Sequence, residues 1–326
     1  TIAALMDSTD FALPDTSEFT RKPYKVRFSP EYFSRPTIGY TRDNFGSGVT
    51  GSAVLVLGDM LADHQLVFGA SLNVRLLEAQ VLATYTNLKR RLQWGTGFVQ
   101  TPYFFFENSR IVDGPRQGEI TLETNIRRLV HRSVFFQTAY PFNRFQRCEA
   151  GLSLNNVDDA VLSIQEFYNP ITGAPTNNPR LVTDNRQGIN YATPSAAHVY
   201  ANSLFGYVGP FLGKRYRFEA SQAIGSWTFT QFTADYRRYD RLVGPFTLAT
   251  RALYFGRMGR DSEQFRIFGG NTELIRGHTS GSYNRNECIS GVLDPTSPSS
   301  CSAFDQLLGS QILLGSAELR VPLSQP

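Results

Sequence analysis

The chain has 326 residues, 32 of them basic and 28 acidic, a net charge of +4 and 13% aromatic side chains. The charges are dispersed rather than gathered in like-sign runs, which argues against nucleic acid as a partner. No apolar run reaches the roughly 18 residues of a membrane-crossing helix, but a barrel strand needs only about 9–11, so a membrane is not excluded.

Residues 1–49 contain Pro14, Pro23, Pro30 and Pro36, which interrupt any long element. Tyr24–Phe28 is expected to form one short strand. The rest of 1–49 reads as a linker leading in from something upstream. The chain starts at Thr1 with no visible signal peptide, as expected of a mature or excised fragment.

From residue 50 onward the pattern alternates with period two, the signature of strands with one apolar face. Between His64 and Arg75, Leu66, Phe68, Ala70 and Leu72 oppose Gln65, Val67, Gly69 and Ser71. Leu77–Tyr85 and Ile120–Arg127 repeat the pattern. Tyr216, Phe218 and Ala220 oppose Arg215, Arg217 and Glu219. Phe232, Ala234 and Tyr236 oppose Asp235 and Arg237. Leu313, Ala317 and Leu319 oppose Ser316, Glu318 and Arg320. Further strands are expected at 50–59, 91–106, 133–140, 147–154, 159–168, 195–206 and 244–256. The total is about a dozen antiparallel strands in a domain spanning 50–326. Long connections (107–117, 169–194, 257–309) fall on one rim and short ones (87–90, 155–158, 207–213, 239–243) on the other, the layout of an outer-membrane barrel.

Alternation alone fits a soluble sandwich as well as a membrane barrel. Two features favour the barrel. Arg215, Arg217, Glu219, Asp235, Arg237, Glu318 and Arg320 stand at strand centres, where they would line a hydrated lumen and pair across strands. Aromatics crowd strand ends at Tyr103–Phe106, Phe135–Tyr140, Tyr236, Tyr239, Tyr254 and Phe255, as interfacial girdles do. Only four of the basic residues are lysine, and arginine suits fixed ion pairs in confined places.

Motifs for chemistry are sparse. His64, His131, His198 and His278 lack metal-ligand spacing, so neither metal nor cofactor is expected. No nucleophile elbow or phosphate-binding loop occurs, and no enzyme activity is expected. Asp158-Asp159 reads as a solvated turn. Cys148 reads as a small apolar packing residue. Cys288 and Cys301, thirteen apart in a loop, are candidates for a local disulfide, with two free thiols as the alternative.

The stretch Phe265–His278 stands out. Gly269-Gly270 precedes Ile275-Arg276-Gly277-His278, and a strand ending Ala317-Glu318-Leu319-Arg320-Val321-Pro322-Leu323 follows. This arrangement resembles the bacterial surface-antigen barrel of the BamA/TamA family, in which an Arg-Gly pair lies in a long extracellular loop folded back into the lumen. The turn Asp59–His64, Tyr85 with Asn87 and Arg91, and the Gly209–Gly213 turn are similar to the family too, so the likeness runs over about 24–323. His278 stands where the family carries Phe or Tyr.

The resemblance implies an outer-membrane barrel of about sixteen strands after a periplasmic part. It would act non-enzymatically in inserting, assembling or translocating proteins. Its partners would be the outer-membrane lipid bilayer, unfolded outer-membrane protein clients and periplasmic proteins. The motif loop would join the eleventh and twelfth strands, so about four strands are expected beyond Pro322. Arg276 would pin the loop inside the barrel. A passive pore, a barrel anchor for a periplasmic domain, and a soluble all-β enzyme or binding domain are the alternatives.

Overall fold

The computed structural model describes residues 23–43, 46–73, 78–116, 118–206, 209–244, 246–264, 267–268, 274 and 308–321. The strands in chain order are β1 (Ser29–Phe33), β2 (Thr37–Asp43), β3 (Gly46–Gly58), β4 (His64–Asn73), β5 (Gln80–Asn87), β6 (Gln93–Asp113), β7 (Ile120–Pro141), β8 (Gln146–Tyr168), β9 (Arg180–Asn185), β10 (Ile189–Ala201), β11 (Leu204–Phe205), β12 (Pro210–Gly225), β13 (Phe229–Arg241), β14 (Thr247–Met258), β15 (Ile267–Phe268), β16 (Leu308–Gly309) and β17 (Gln311–Arg320). Among the described residues no helix is long and apolar enough to cross a membrane.

The protein is all-β. Twelve strands form one antiparallel path, β1-β3-β4-β5-β6-β7-β8-β10-β12-β13-β14-β17, with β2, β9 and β11 attached to β3, β8 and β12. The count agrees with the dozen expected from the alternation, but the members differ: 120–127 and 133–140 are one strand, β7, and β1 lies within the stretch 1–49 expected as a linker. β1 and β2 act as one edge strand broken in the middle. β1 pairs with Leu55–Gly58 and β2 with Gly46–Ser52 of β3. Pro36 lies in the break, and there the Ser34 side chain accepts from the Val54 amide at 2.7 Å.

The sheet is curled. Thr86 on β5 and Gln231 on β13 line the same cavity of about 500 Å³. Tyr103 on β6 and Arg257 on β14 line another of about 350 Å³. A flat sheet would hold either pair about 29 Å apart, six ladder spacings of about 4.8 Å.

Curling sorts the two faces of each strand. The outer face is apolar and exposed: Phe68, Val134, Phe136, Leu152, Leu154, Phe218, Phe232 and Leu313 all open to the surroundings. A polar cluster bounds this band on the side of the longer connections. Arg132 donates from Nε to Gln100 Oε1 at 2.9 Å and from Nη1 to Asn156 Oδ1 at 3.1 Å, and Asn156 donates to Asn190 at 2.8 Å. An aromatic row bounds the opposite side, with Tyr200, Tyr216 and Tyr236 stacked in sequence. On β7 the band runs from Arg132 to Tyr140. The eight steps between these nine residues span about 26 Å of strand, or about 20 Å along an axis tilted by about 40°.

The densest packing lies beyond the polar boundary, where β7 and β8 are longest. Val130 (0% exposed), Ala160 (0%) and Leu162 (1%) fill one face there, and Leu129 and Val157 the other.

Several element boundaries differ from the sequence reading. Residues 107–113 and 155–158 are strand, so 147–154 and 159–168 are one element, β8. The short-rim turn expected at 155–158 lies at 142–145 instead. The polar run Asn155–Asp159 stays in the ladder because its side chains find partners across it. Residues 23–28 are not strand, and pairing begins at Ser29. Cys148 is exposed rather than packed, because its register with His198 and Tyr140 puts it on the outer face.

Candidate functional site

The inner face of β8, β10, β12, β13, β14 and β17 carries a lattice of charges. Register places Arg217 opposite Asp235, and Arg215, Arg237 and Arg251 in one row across β12, β13 and β14. Like charges directly opposite are unfavourable in a sheet, so the lattice is held by diagonals. Arg217 donates from Nη1 to Glu149 at 2.6 Å and from Nε to Glu219 at 2.7 Å, while Arg147 reaches Glu149 at 2.6 Å. The Arg217–Glu149 pair passes over β10, where the residues in register are Ala197 and Val199. Short side chains on the intervening strand make that reach feasible.

Asp235 relieves the arginine row. Arg237 Nη2 donates to it at 2.6 Å and Arg251 Nη2 at 3.0 Å. Arg215, in the same row, has no ion pair among the described residues. Arg320 pairs with Glu318 at 3.2 Å, donates to the Pro210 carbonyl at 3.1 Å and lies over the Tyr239 ring. The seven positions singled out in the sequence fall on one face, and all but Arg215 join one of three connected clusters. Glu149, Arg147 and Arg251 complete them. The sequence reading missed these three, although each sits in a strand with the same alternating polarity.

A cavity of about 770 Å³ lies against this wall, lined by Arg237, Arg251, Glu318, Arg320 and also Leu274. Leu274 belongs to the Phe265–His278 stretch. Gly269, Gly270, Arg276, Gly277, His278, Cys288 and Cys301 lie outside the described residues.

Two other polar clusters were not foreseen. Arg127 makes a bidentate pair with Asp159, at 3.0 and 2.6 Å. Its neighbour Arg128 turns to the other face, where it meets Glu78 at 3.4 Å and Asp158 at 3.3 Å. A dibasic and a diacidic doublet placed almost symmetrically about the Asn143 turn is the signal that points to this pairing. At the short-connection rim, Tyr24 donates to Asp59 at 2.6 Å, the Asp59 carboxylate caps the His64 amide at 2.8 Å, and His64 Nδ1 meets the Tyr85 hydroxyl at 2.7 Å. Burial pushes the Asp59 carboxyl up, but the Tyr24 hydroxyl and the His64 amide outweigh it and hold the group below its ordinary range. The turn after β14 is tied by the Thr228 amide, which donates to Asp261 at 2.8 Å. That bond, with Arg260 second, lowers the Asp261 pKa against a smaller effect of burial.

Chemically the inner wall offers guanidinium groups to anions and carbonyls and carboxylates to amides. Among the described residues no three side chains are grouped as metal ligands.

No protein-family model matches the chain, and no curated protein matches it. Among solved structures it is similar to the crystal structure of BamA from Haemophilus ducreyi lacking POTRA domains 1-3, at 15% identity and a TM-score of 0.48. The alignment covers 79% of this chain and 47% of that one, so the chain spans about half the length of that structure.

Proposed function

We propose that the chain is the wall of an outer-membrane β-barrel of the BamA/TamA type, which assists the insertion, assembly or translocation of other proteins without covalent chemistry. The observation that carries the membrane reading is the exposed apolar outer band. It is about 20 Å tall, closed on one side by amides and arginine and on the other by stacked tyrosines. A water-soluble sheet of this size would bury such a band, whereas a bilayer covers it. The charged face then lines a hydrated interior.

The assembly reading rests on the motif stretch and on the first edge. Leu274 against the arginine wall supports a loop that dips into the interior two residues before Arg276. Among the described residues β1 and β2 pair only with β3, so their other side is proposed as the template for a client strand. Arg276 pins the loop within the barrel.

Membrane residence is tested by fractionation and by heat-modifiable migration. Recovery of the refolded chain in detergent-free buffer as a soluble monomer would overturn it. The assembly role is tested by depleting the full-length protein and measuring other barrel proteins. Their unchanged levels would favour a passive pore or an anchor. Arg276→Ala in the full-length protein is expected to impair assembly.

A further inference from the structure

The outer face carries a groove where the apolar band meets the polar boundary. Its volume is about 440 Å³, and Phe98, Val134, Leu154 and Ile224 line its apolar part, with Arg132, Asn156 and Asn190 at its polar end. Leu154 is 58% exposed, Ile224 54% and Val134 52%. Along the strand axis the groove is therefore amphipathic, with hydrocarbon surface on one side and hydrogen-bonding groups on the other.

The charge at the polar end is unusual. Arg132 has two recorded hydrogen-bond partners, and both are neutral side-chain amides, Gln100 and Asn156. No carboxylate lies within ion-pair distance of it among the described residues. The acids one layer farther out, Glu78 and Asp158, are engaged by Arg128. Arg127, Arg128, Arg147, Arg217, Arg237, Arg251 and Arg320 each have a carboxylate partner, and Arg215 faces the interior. Arg132 is thus a guanidinium on the outer face of the strands with no carboxylate partner among the described residues. A guanidinium at the edge of an apolar surface is well placed for a bidentate phosphate, and a long basic side chain at that depth extends toward the interface.

We propose that this groove binds one phosphate-bearing membrane lipid, in the leaflet from which the longer connections emerge. The phosphate sits on Arg132 and the Asn156–Asn190 amides, and an acyl chain lies over Val134, Leu154 and Ile224. This inference rests on the membrane reading above. Charge complementarity selects the occupant: a zwitterionic lipid carries its own cation beside the phosphate, whereas an anionic one leaves the phosphate free to take the guanidinium.

The test uses the refolded chain in nanodiscs of phosphatidylcholine with a minor share of phosphatidylglycerol. Lipids retained on release are counted by native mass spectrometry. The unsubstituted chain is expected to keep one phosphatidylglycerol, and R132Q to keep about tenfold less. L154W narrows the groove with Arg132 intact and is expected to lower retention as well, which decides the matter should R132Q not reach its folded, heat-modifiable form. R238Q removes an outer-face arginine already paired with Asp240 at 2.8 Å and is expected to change nothing. Equal retention by the unsubstituted chain, R132Q and L154W overturns the proposal, as does equal retention of phosphatidylcholine. Flotation of the chain with vesicles is measured alongside. Failure to float overturns the membrane reading and this inference with it, whereas flotation without lipid selectivity overturns this inference alone.

Discussion

Replacing Arg127 with methionine is expected to cost more than replacing Asp159 with asparagine, although both remove the same ion pair. The reason is unequal burial: the Arg127 side chain is 38% exposed and that of Asp159 5%. Asparagine keeps the shape of Asp159 and one acceptor oxygen, and the released guanidinium reaches water. Its cost is one charge-assisted pair discounted for the exposed arginine, about 1–2 kcal/mol. Methionine at 127 strands a carboxylate that has little water to turn to. Breaking a buried pair from that side costs about 3–5 kcal/mol. The gap of about 2 kcal/mol is the quantity of interest. The backbone bond from Arg186 to the Asp159 carbonyl, 2.9 Å long, is untouched in either variant. Urea titration of the refolded chain in micelles, with the folded fraction read from tryptophan fluorescence and from migration on unheated gels, measures both. Equal costs, or a larger cost for D159N, would refute the burial argument.

Three further outcomes are expected. Ala62 holds a left-handed φ of 56° in the turn between β3 and β4, so A62G should raise stability by about 1 kcal/mol in the same titration. Gly213 has a φ of 101°, and a Cβ there would stand 2.5 Å from the Asn202 carbonyl. G213A should therefore lower stability by at least about 1–2 kcal/mol and disturb the β11–β12 turn. Because the folded pKa of Asp261 is depressed, its contribution is present above the ordinary carboxylate range and is lost as pH falls through that lowered value. Hydrogen exchange at Thr228 should therefore quicken relative to neighbouring amides below about pH 4. D261N should remove that pH dependence.

How much could be read from the sequence depended on where the side chains found partners. Tyr216–Ala220 against Arg215–Glu219 was legible because one face is uniformly apolar and the other uniformly charged. The seven predicted charges consequently fall on one face. Asn155–Asp159 misled because a polar run in mid-strand looks like a turn when its partners are distant. Arg127, Arg128 and Arg132 satisfy Asp159, Asp158 and Asn156 from the neighbouring strand, and no local pattern reveals that. Cys148 misled for a different reason: composition ranks cysteine as buried, whereas strand parity turned it outward. The edge strand shifted from Tyr24–Phe28 to Ser29 onward because pairing with β3, rather than local propensity, sets where it begins.

The Glu149–Arg217 contact over β10 also has a mechanical consequence. A ladder alone lets adjacent strands slide or hinge about their hydrogen bonds. A side-chain tie between strands that are not neighbours resists both motions and clamps the strand between them. β8, β10 and β12 therefore behave as a stiff panel. Asp235, gripped by Arg237 from its own strand and by Arg251 from β14, adds a side-chain tie to the adjoining β13–β14 ladder. The broken β1–β2 edge carries no such tie among the described residues, and two short ladders hold it on either side of Pro36. Under lateral strain the wall yields at that edge, one half-strand at a time, while its centre keeps its curvature.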